Sequence, residues 1–155
     1  ATRRHGVELG AYWTPLEAVI LDADYSWSHA RFTEYDPAGD YIPGAVETVV
    51  SVGLSVQRDT GWFGGARWRY FGPAPLIEDN SVRSHSTSTV NAQAGYRFSP
   101  RLSVMASVFN LFDADANDIS YFYESQLPNE SQPVADIHFH PAEPRTLRVA
   151  ATVRF

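Results

Sequence analysis

The sequence predicts an all-β chain, an antiparallel wall of about seven strands built to stand in a membrane as part of a barrel. Three observations carry this. Apolar residues recur at every second position in seven separate segments, the periodicity of a strand with one buried face. The connections between segments alternate short and long, as in barrels with tight turns on one side of a membrane and loops on the other. Aromatic residues stand at the ends of the apolar stripes, where a lipid-facing wall carries its girdles.

Each element follows from its parity. The first, "RHGVELGAYW", sets Val7, Leu9, Ala11 and Trp13 against Gly6, Glu8, Gly10 and Tyr12. The short connection "TPLE" leads into "AVILDADYSWSHARF", with Leu21, Ala23, Tyr25 and Trp27 against Asp22, Asp24, Ser26 and Ser28. The long "TEYDPAGDYIPGA" follows, then "TVVSVGLSVQ" with Val50, Val52, Leu54 and Val56 against Ser51, Gly53, Ser55 and Gln57. "RDTG" turns the chain into "WFGGARWRYF", where Trp62, Ala66, Trp68 and Tyr70 oppose Gly65, Arg67 and Arg69. After the long "GPAPLIEDNSVRSH", "TVNAQAGYRF" sets Val90, Ala92, Ala94, Tyr96 and Phe98 against Asn91, Gln93, Gly95 and Arg97. "SPR" is the third short turn, and "RLSVMASVF" sets Leu102, Val104, Ala106 and Val108 against Ser103, Met105 and Ser107. A very long connection precedes "PRTLRVAATVRF", with Leu147, Val149, Ala151, Val153 and Phe155 against Thr146, Arg148, Thr152 and Arg154. A structureless stretch of that length is unusual in a compact soluble domain. Trp62 and Tyr70 stand eight residues apart on one face. At ~3.3 Å per residue and a tilt of about 40°, that is roughly 20 Å of height, close to the apolar band of a barrel wall. The competing reading, rings filling a soluble core, does not call for clustering at strand ends.

Composition excludes several classes. The 155 residues carry 12 Lys+Arg, all of them Arg, against 18 Asp+Glu, for a net charge of -6. Scattered Arg on an acidic chain argues against nucleic-acid binding, which gathers its cations into one patch. There is no cysteine, so disulfides and thiolate metal sites are excluded. No apolar run approaches the ~18 residues of a spanning helix.

Local chemistry is sparse. There is no Gly-x-Ser-x-Gly elbow and no phosphate loop, so no catalytic residue and no cofactor are expected. "GWFGG" reads as a strand entrance whose glycines admit bulky neighbours. In "SHS", Ser84 and His85 would point to opposite faces of a strand, so the pair reads as loop polarity. "ADIHFHP" has ligand spacing: if extended, Asp136, His138 and His140 share a face and could clasp a metal or haem iron. The competing reading is polar rim residues of a surface loop. The polar face of the wall carries Glu8, Asp22, Asp24, Arg67, Arg69, Arg97, Arg148 and Arg154, acids on the first two strands and Arg on later ones.

Several stretches together resemble the C-terminal barrel of TonB-dependent receptors. "VFNLFDADAN", with Asn110 to Asp113, is similar to the family's penultimate strand, and "PRTLRVAATVRF" to its last. "YFGPAPLIEDNS", "RRHGVELGAYWTP" and "YIPGAVETVVS" fit the same order, so the likeness spans residues 1–155. The resemblance implies an outer-membrane receptor of a Gram-negative bacterium that imports a scarce nutrient, such as a ferric siderophore, haem, cobalamin or a glycan. It implies that Glu8, Asp22, Asp24, Arg67, Arg69, Arg97 and Arg148 face a plug domain, with generic lumen hydration as the alternative. Implied partners are outer-membrane lipid, TonB acting through the plug, a small-molecule cargo such as a metal chelate, and the barrel-assembly machinery, which would read Phe155. The family barrel has about 22 strands around a plugged lumen. Seven strands without plug or TonB box would be its C-terminal third, with about fifteen strands and the plug encoded upstream. Two other readings remain: a complete small outer-membrane barrel (porin, adhesin or enzyme), which calls for an even strand count, and a soluble lipid-binding barrel with its apolar face turned inward.

Overall fold

In the computed structural model, which describes residues 1–155, the chain forms nine strands and no helix. They are β1 (Thr2–Leu16), β2 (Val19–Phe32), β3 (Thr48–Val56), β4 (Gly61–Phe71), β5 (Thr87–Ser99), β6 (Leu102–Phe109), β7 (Asn117–Ser125), β8 (Val134–Pro141) and β9 (Thr146–Val153). Seven of them make one sheet in the order β1-β2-β3-β4-β5-β6-β9, every neighbouring pair antiparallel. These are the seven alternating segments. β7 and β8 pair only with each other.

Register carries the apolar parity across the whole wall. Leu9 faces Tyr25, which faces Val50, which faces Tyr70. Ala23, Val52, Trp68 and Val90 form the next row, and Tyr96, Val104 and Ala151 continue the stripe on later strands. At the short-turn end Trp62, Tyr96 and Phe98 interlock, with ring centroids 5.2 and 4.9 Å apart. At the long-loop end Trp68 and Tyr70 lie 6.2 Å apart. Two girdles thus bound one apolar band. β1 reaches its turn through Pro15, where the register shifts between Trp13 and Leu16. Proline is tolerated there because it falls in this bulge, outside the paired register.

The wall is one layer thick. Only nine of 155 residues are buried, and Leu9, Val149 and Trp62 are exposed to 63%, 68% and 67%. Soluble monomers rarely leave so broad an apolar face uncovered. β1 and β9 are each bonded on one side only, so the sheet is an open arc.

The connection after β6 differs from the expectation of an unstructured loop. It carries the β7–β8 hairpin, held by a register from Ser125↔Val134 to Asn117↔Pro141. Both faces of "ISYFY" bear bulky residues, so the alternation that marks a half-buried strand is blurred. The hairpin stands apart from the sheet that forms the wall.

Candidate functional site

The inner face of the wall presents a charged ladder. Asp22, Gly53 and Arg67 stand side by side on β2, β3 and β4. Arg67 reaches across the glycine to Asp22, with Nη2 2.7 Å from Oδ2, and its Nη1 donates to Ser51 Oγ at 2.7 Å. A Cβ at Gly53 would lie 2.5 Å from both Arg67 Nη2 and Asp22 Oδ1, so a side chain there would push the two charged ends aside. One row above, Asp24 and Arg69 flank Ser51 in the same way but form no ion pair. Arg148 pairs with Glu143 at 3.1 Å and lies 4.4 Å above the Phe109 ring. Arg97 donates to the Arg58 carbonyl and covers the Phe63 ring. Asp22, Arg67, Arg97 and Arg148 are therefore engaged within the wall. Glu8, Asp24 and Arg69 stand on the same face without ionic partners.

The long connections form a cap at one end. Arg83 ties them together, bonding Glu47 Oε2 at 3.1 Å, Asn80 Oδ1 at 2.5 Å and the Pro73 carbonyl at 2.9 Å. Arg31 lies 3.9 Å from Glu47 and 3.5 Å from the Tyr41 ring centroid. Gly39, at φ 122°, packs its backbone against the Glu78 carbonyl where no Cβ would fit. Ala30, Ala74, Pro75 and Leu76 are buried beneath. Asp79 accepts the Ser81 N–H at 2.9 Å, and that bond, with the Ser81 hydroxyl, holds its carboxyl below the usual range.

Asn110 organises the exit from β6. It is buried, adopts φ 47°, and its Nδ2 donates to the carbonyls of Ala114 at 2.9 Å and Glu143 at 3.3 Å. Its Oδ1 accepts the Ala114 N–H, and its own N–H donates to Asn91 Oδ1, both at 2.9 Å. Asn tolerates the left-handed region because its short amide bonds locally. The Asn-Leu-Phe-Asp stretch thus pins the outgoing and returning chain together at the hairpin's base, where Arg145 N–H also meets Asp113 Oδ1 at 3.0 Å.

A cavity of about 660 Å³ opens between the cap, the hairpin base and the inner face of the wall. Arg69, Thr89 and Asn91 form its floor, His85 its cap side, and Asp118 and Glu143 its hairpin side. Of the candidate site residues read from the sequence, only Arg69 reaches it. His85, read as loop polarity, lines it. Asp118 and Glu143 carried no signal in sequence, since acids in a loop are ordinary.

Asp136, His138 and His140 alternate along extended β8. His138 stacks on Tyr123 at 3.9 Å and 15°, with its Nε2 3.3 Å from Ser125 Oγ. His140 meets Tyr121 edge-on at 6.4 Å, and Asp136 Oδ1 accepts the Ile137 N–H at 2.7 Å. No group of three or more His, Asp or Glu side chains is placed to hold a metal ion.

The sequence model of the TonB dependent receptor-like β-barrel family matches residues 1–111. The chain belongs to this family. Solved structures agree on the fold. The ferric yersiniabactin uptake receptor FyuA from Yersinia pestis superposes with a TM-score of 0.76 at 21% identity, over 99% of this chain and 24% of its own. The ferric citrate transporter FecA gives 0.75 at 22% identity, with the same coverage of 99% and 24%. The copper transporter OprC gives 0.68 at 19% identity, again over 99% and 24%. The chain thus spans about a quarter of the length of these receptors. Comparison with curated protein sequences returned no match. The family and these neighbours are receptors and transporters, not enzymes.

Proposed function

We propose that these residues are the C-terminal wall of a TonB-coupled importer in the outer membrane of a Gram-negative bacterium. The observation that carries the reading is the asymmetry of a single sheet: lipid-compatible outside, charged inside, with a polar cavity under the loops at one end only. An apolar band between two girdles suits a bilayer and no aqueous surface. Open edges call for further strands, because unpaired backbone groups in hydrocarbon cost several kcal/mol each. That requirement disfavours a complete small barrel, and the outward apolar face disfavours a soluble lipid carrier.

In this reading Glu8, Asp24 and Arg69 meet a plug domain supplied by another part of the polypeptide, and TonB acts through that plug. Engaged pairs such as Asp22–Arg67 keep the wall in shape while the plug moves. The cavity takes part of a small-molecule cargo such as a metal chelate, and the β7–β8 face with Asp136, His138 and His140 is its outer contact. Phe155, fully exposed past β9, is the terminal aromatic for the barrel-assembly machinery.

The test uses the full natural polypeptide that contains these residues. Binding of a panel of ferric chelates and of free copper ion is measured by fluorescence quenching, for the parent and for His85→Ala with Asp118→Ala. One probe is expected to bind, and the double variant to lose about tenfold or more in affinity while still inserting in the outer membrane. Unchanged binding would remove the cavity from the cargo path.

A further inference from the structure

The short-turn end of the inner face carries its own group of cations, away from the cap. Register sets Arg97 on β5, Ser103 on β6 and Thr152 on β9 in one row. Arg154 follows Thr152 by two residues, and Arg101 sits in the turn between β5 and β6. With Met105, these five residues border a hollow of about 190 Å³.

The arginines are fixed by bonds that leave their charge uncompensated. Ser99 Oγ accepts the N–H groups of Arg101 and Leu102, both at 3.2 Å, which sets the turn. The Arg154 N–H donates to the Arg101 carbonyl at 2.8 Å, so the two backbones are tied together. Arg97 lies 4.9 Å from the Phe63 ring centroid and donates to the Arg58 carbonyl. Phe63 in turn lies across Gly95, its cross-strand partner, where a Cβ would come within 2.5 Å of the ring. None of the three arginines has an ion pair. Glu17 and Asp59 border the adjoining hollow, which also takes in Arg97, yet neither is paired with it. Elsewhere on this face Arg67 and Arg148 each have a carboxylate of their own. Crowded like charges repel. Three guanidiniums and several hydroxyls around one hollow, with no acid among its lining residues, call for an anion.

We propose that Arg97, Arg101 and Arg154 form a binding site for a small polycarboxylate, with the Ser103 and Thr152 hydroxyls as further donors. Each guanidinium presents a planar fork that matches one carboxylate. The three stand on β5, on the turn and past β9, so they suit separate carboxylates of one ligand better than a single small ion. The site is distinct from the cavity under the cap, with which its hollow shares no residue. In the importer reading above, this is the end of the wall where an anionic cargo leaves. That role rests on the reading, whereas the binding rests on the geometry alone.

The full natural polypeptide, in non-ionic detergent, is titrated calorimetrically with tricarballylate and separately with inorganic phosphate. Thermal unfolding is recorded for every variant. Tricarballylate is expected to bind, and Arg101→Gln with Arg154→Gln to weaken it about tenfold or more at an unchanged unfolding temperature. Arg148→Gln should bind as the parent does, because Arg148 stands against Glu143 at the other end of β9. No tricarballylate binding by the parent, parent-like affinity in the double variant, or an equal loss in Arg148→Gln would overturn the site. Should the double variant unfold, Arg97→Gln reads the same site and is held to the same loss. Phosphate binding as tight as tricarballylate would mark a simple anion site and overturn the polycarboxylate assignment. The chelate panel reports on the importer reading separately: loss of all chelate binding with tricarballylate still bound would overturn that reading and support the site.

Discussion

A side chain at position 53 would stand where Asp22 and Arg67 now meet. Gly53→Val in the full polypeptide is therefore expected to separate the pair and overpack the inner face, lowering stability by about 1–3 kcal/mol in a detergent unfolding titration. A variant as stable as the parent would mean that the bridge re-forms around valine. The outward face obeys a different rule. Val149→Arg sets a charge toward hydrocarbon and should cost roughly 2–4 kcal/mol, whereas Ser103→Arg, facing the lumen, should cost much less. Equal sensitivity at the two positions would reverse the inside and outside faces. Alternation alone identifies which of these residues lie on the outward face. It cannot identify which inner charges pair, because Asp22 and Arg67 are 45 residues apart and meet only once the β2–β3–β4 register is set.

At the scale of elements, the strands of the wall were legible because each one divides an apolar face from a polar one and so alternates strictly. The β7–β8 hairpin does not lie on that boundary. Tyr121 and Tyr123 fall on one face and Phe122 on the other, and the period-two signal dissolves. The cap was opaque for a related reason. Its order comes from long-range bonds through Arg83 and backbone groups, and no local pattern announces a partner 36 residues away. The Asn-Leu-Phe-Asp stretch was visible as a family feature, but its role as a clasp at the hairpin base depends on the left-handed turn at Asn110. The cap yields its own test. Arg83→Ala removes the bonds to Glu47, Asn80 and Pro73, and limited proteolysis should then cleave residues 33–47 and 72–86 several-fold faster, with the strands still protected. Unchanged cleavage would show that the buried Ala74–Leu76 segment alone holds the cap.

For the molecule as a whole, the open edges at β1 and β9 decide what these residues can do alone. Expressed in isolation, they are expected to aggregate or pair edge to edge rather than form a pore. A stable monomer in micelles, with its edge amides protected from hydrogen exchange, would reveal a complete barrel instead. In the full polypeptide, deletion of Phe155 should halt outer-membrane insertion and leave the precursor in the periplasm; normal surface display would remove the terminal ring from the assembly signal. The single-layer outward face has an evolutionary consequence. In an ordinary domain, close packing couples each interior substitution to its neighbours, and sequences drift slowly because compensating changes must arrive together. The outward face of this wall packs against no other part of the chain and has little to compensate. In the membrane placement proposed above, an outward valine has only fluid acyl chains to match, and they accommodate any apolar shape. Across an inventory of natural variants, exchange among apolar residues should therefore be nearly unrestricted on the outer parity, with invariance gathering at Gly53, Pro75 and Asn110, the few places where one part of this chain closes on another.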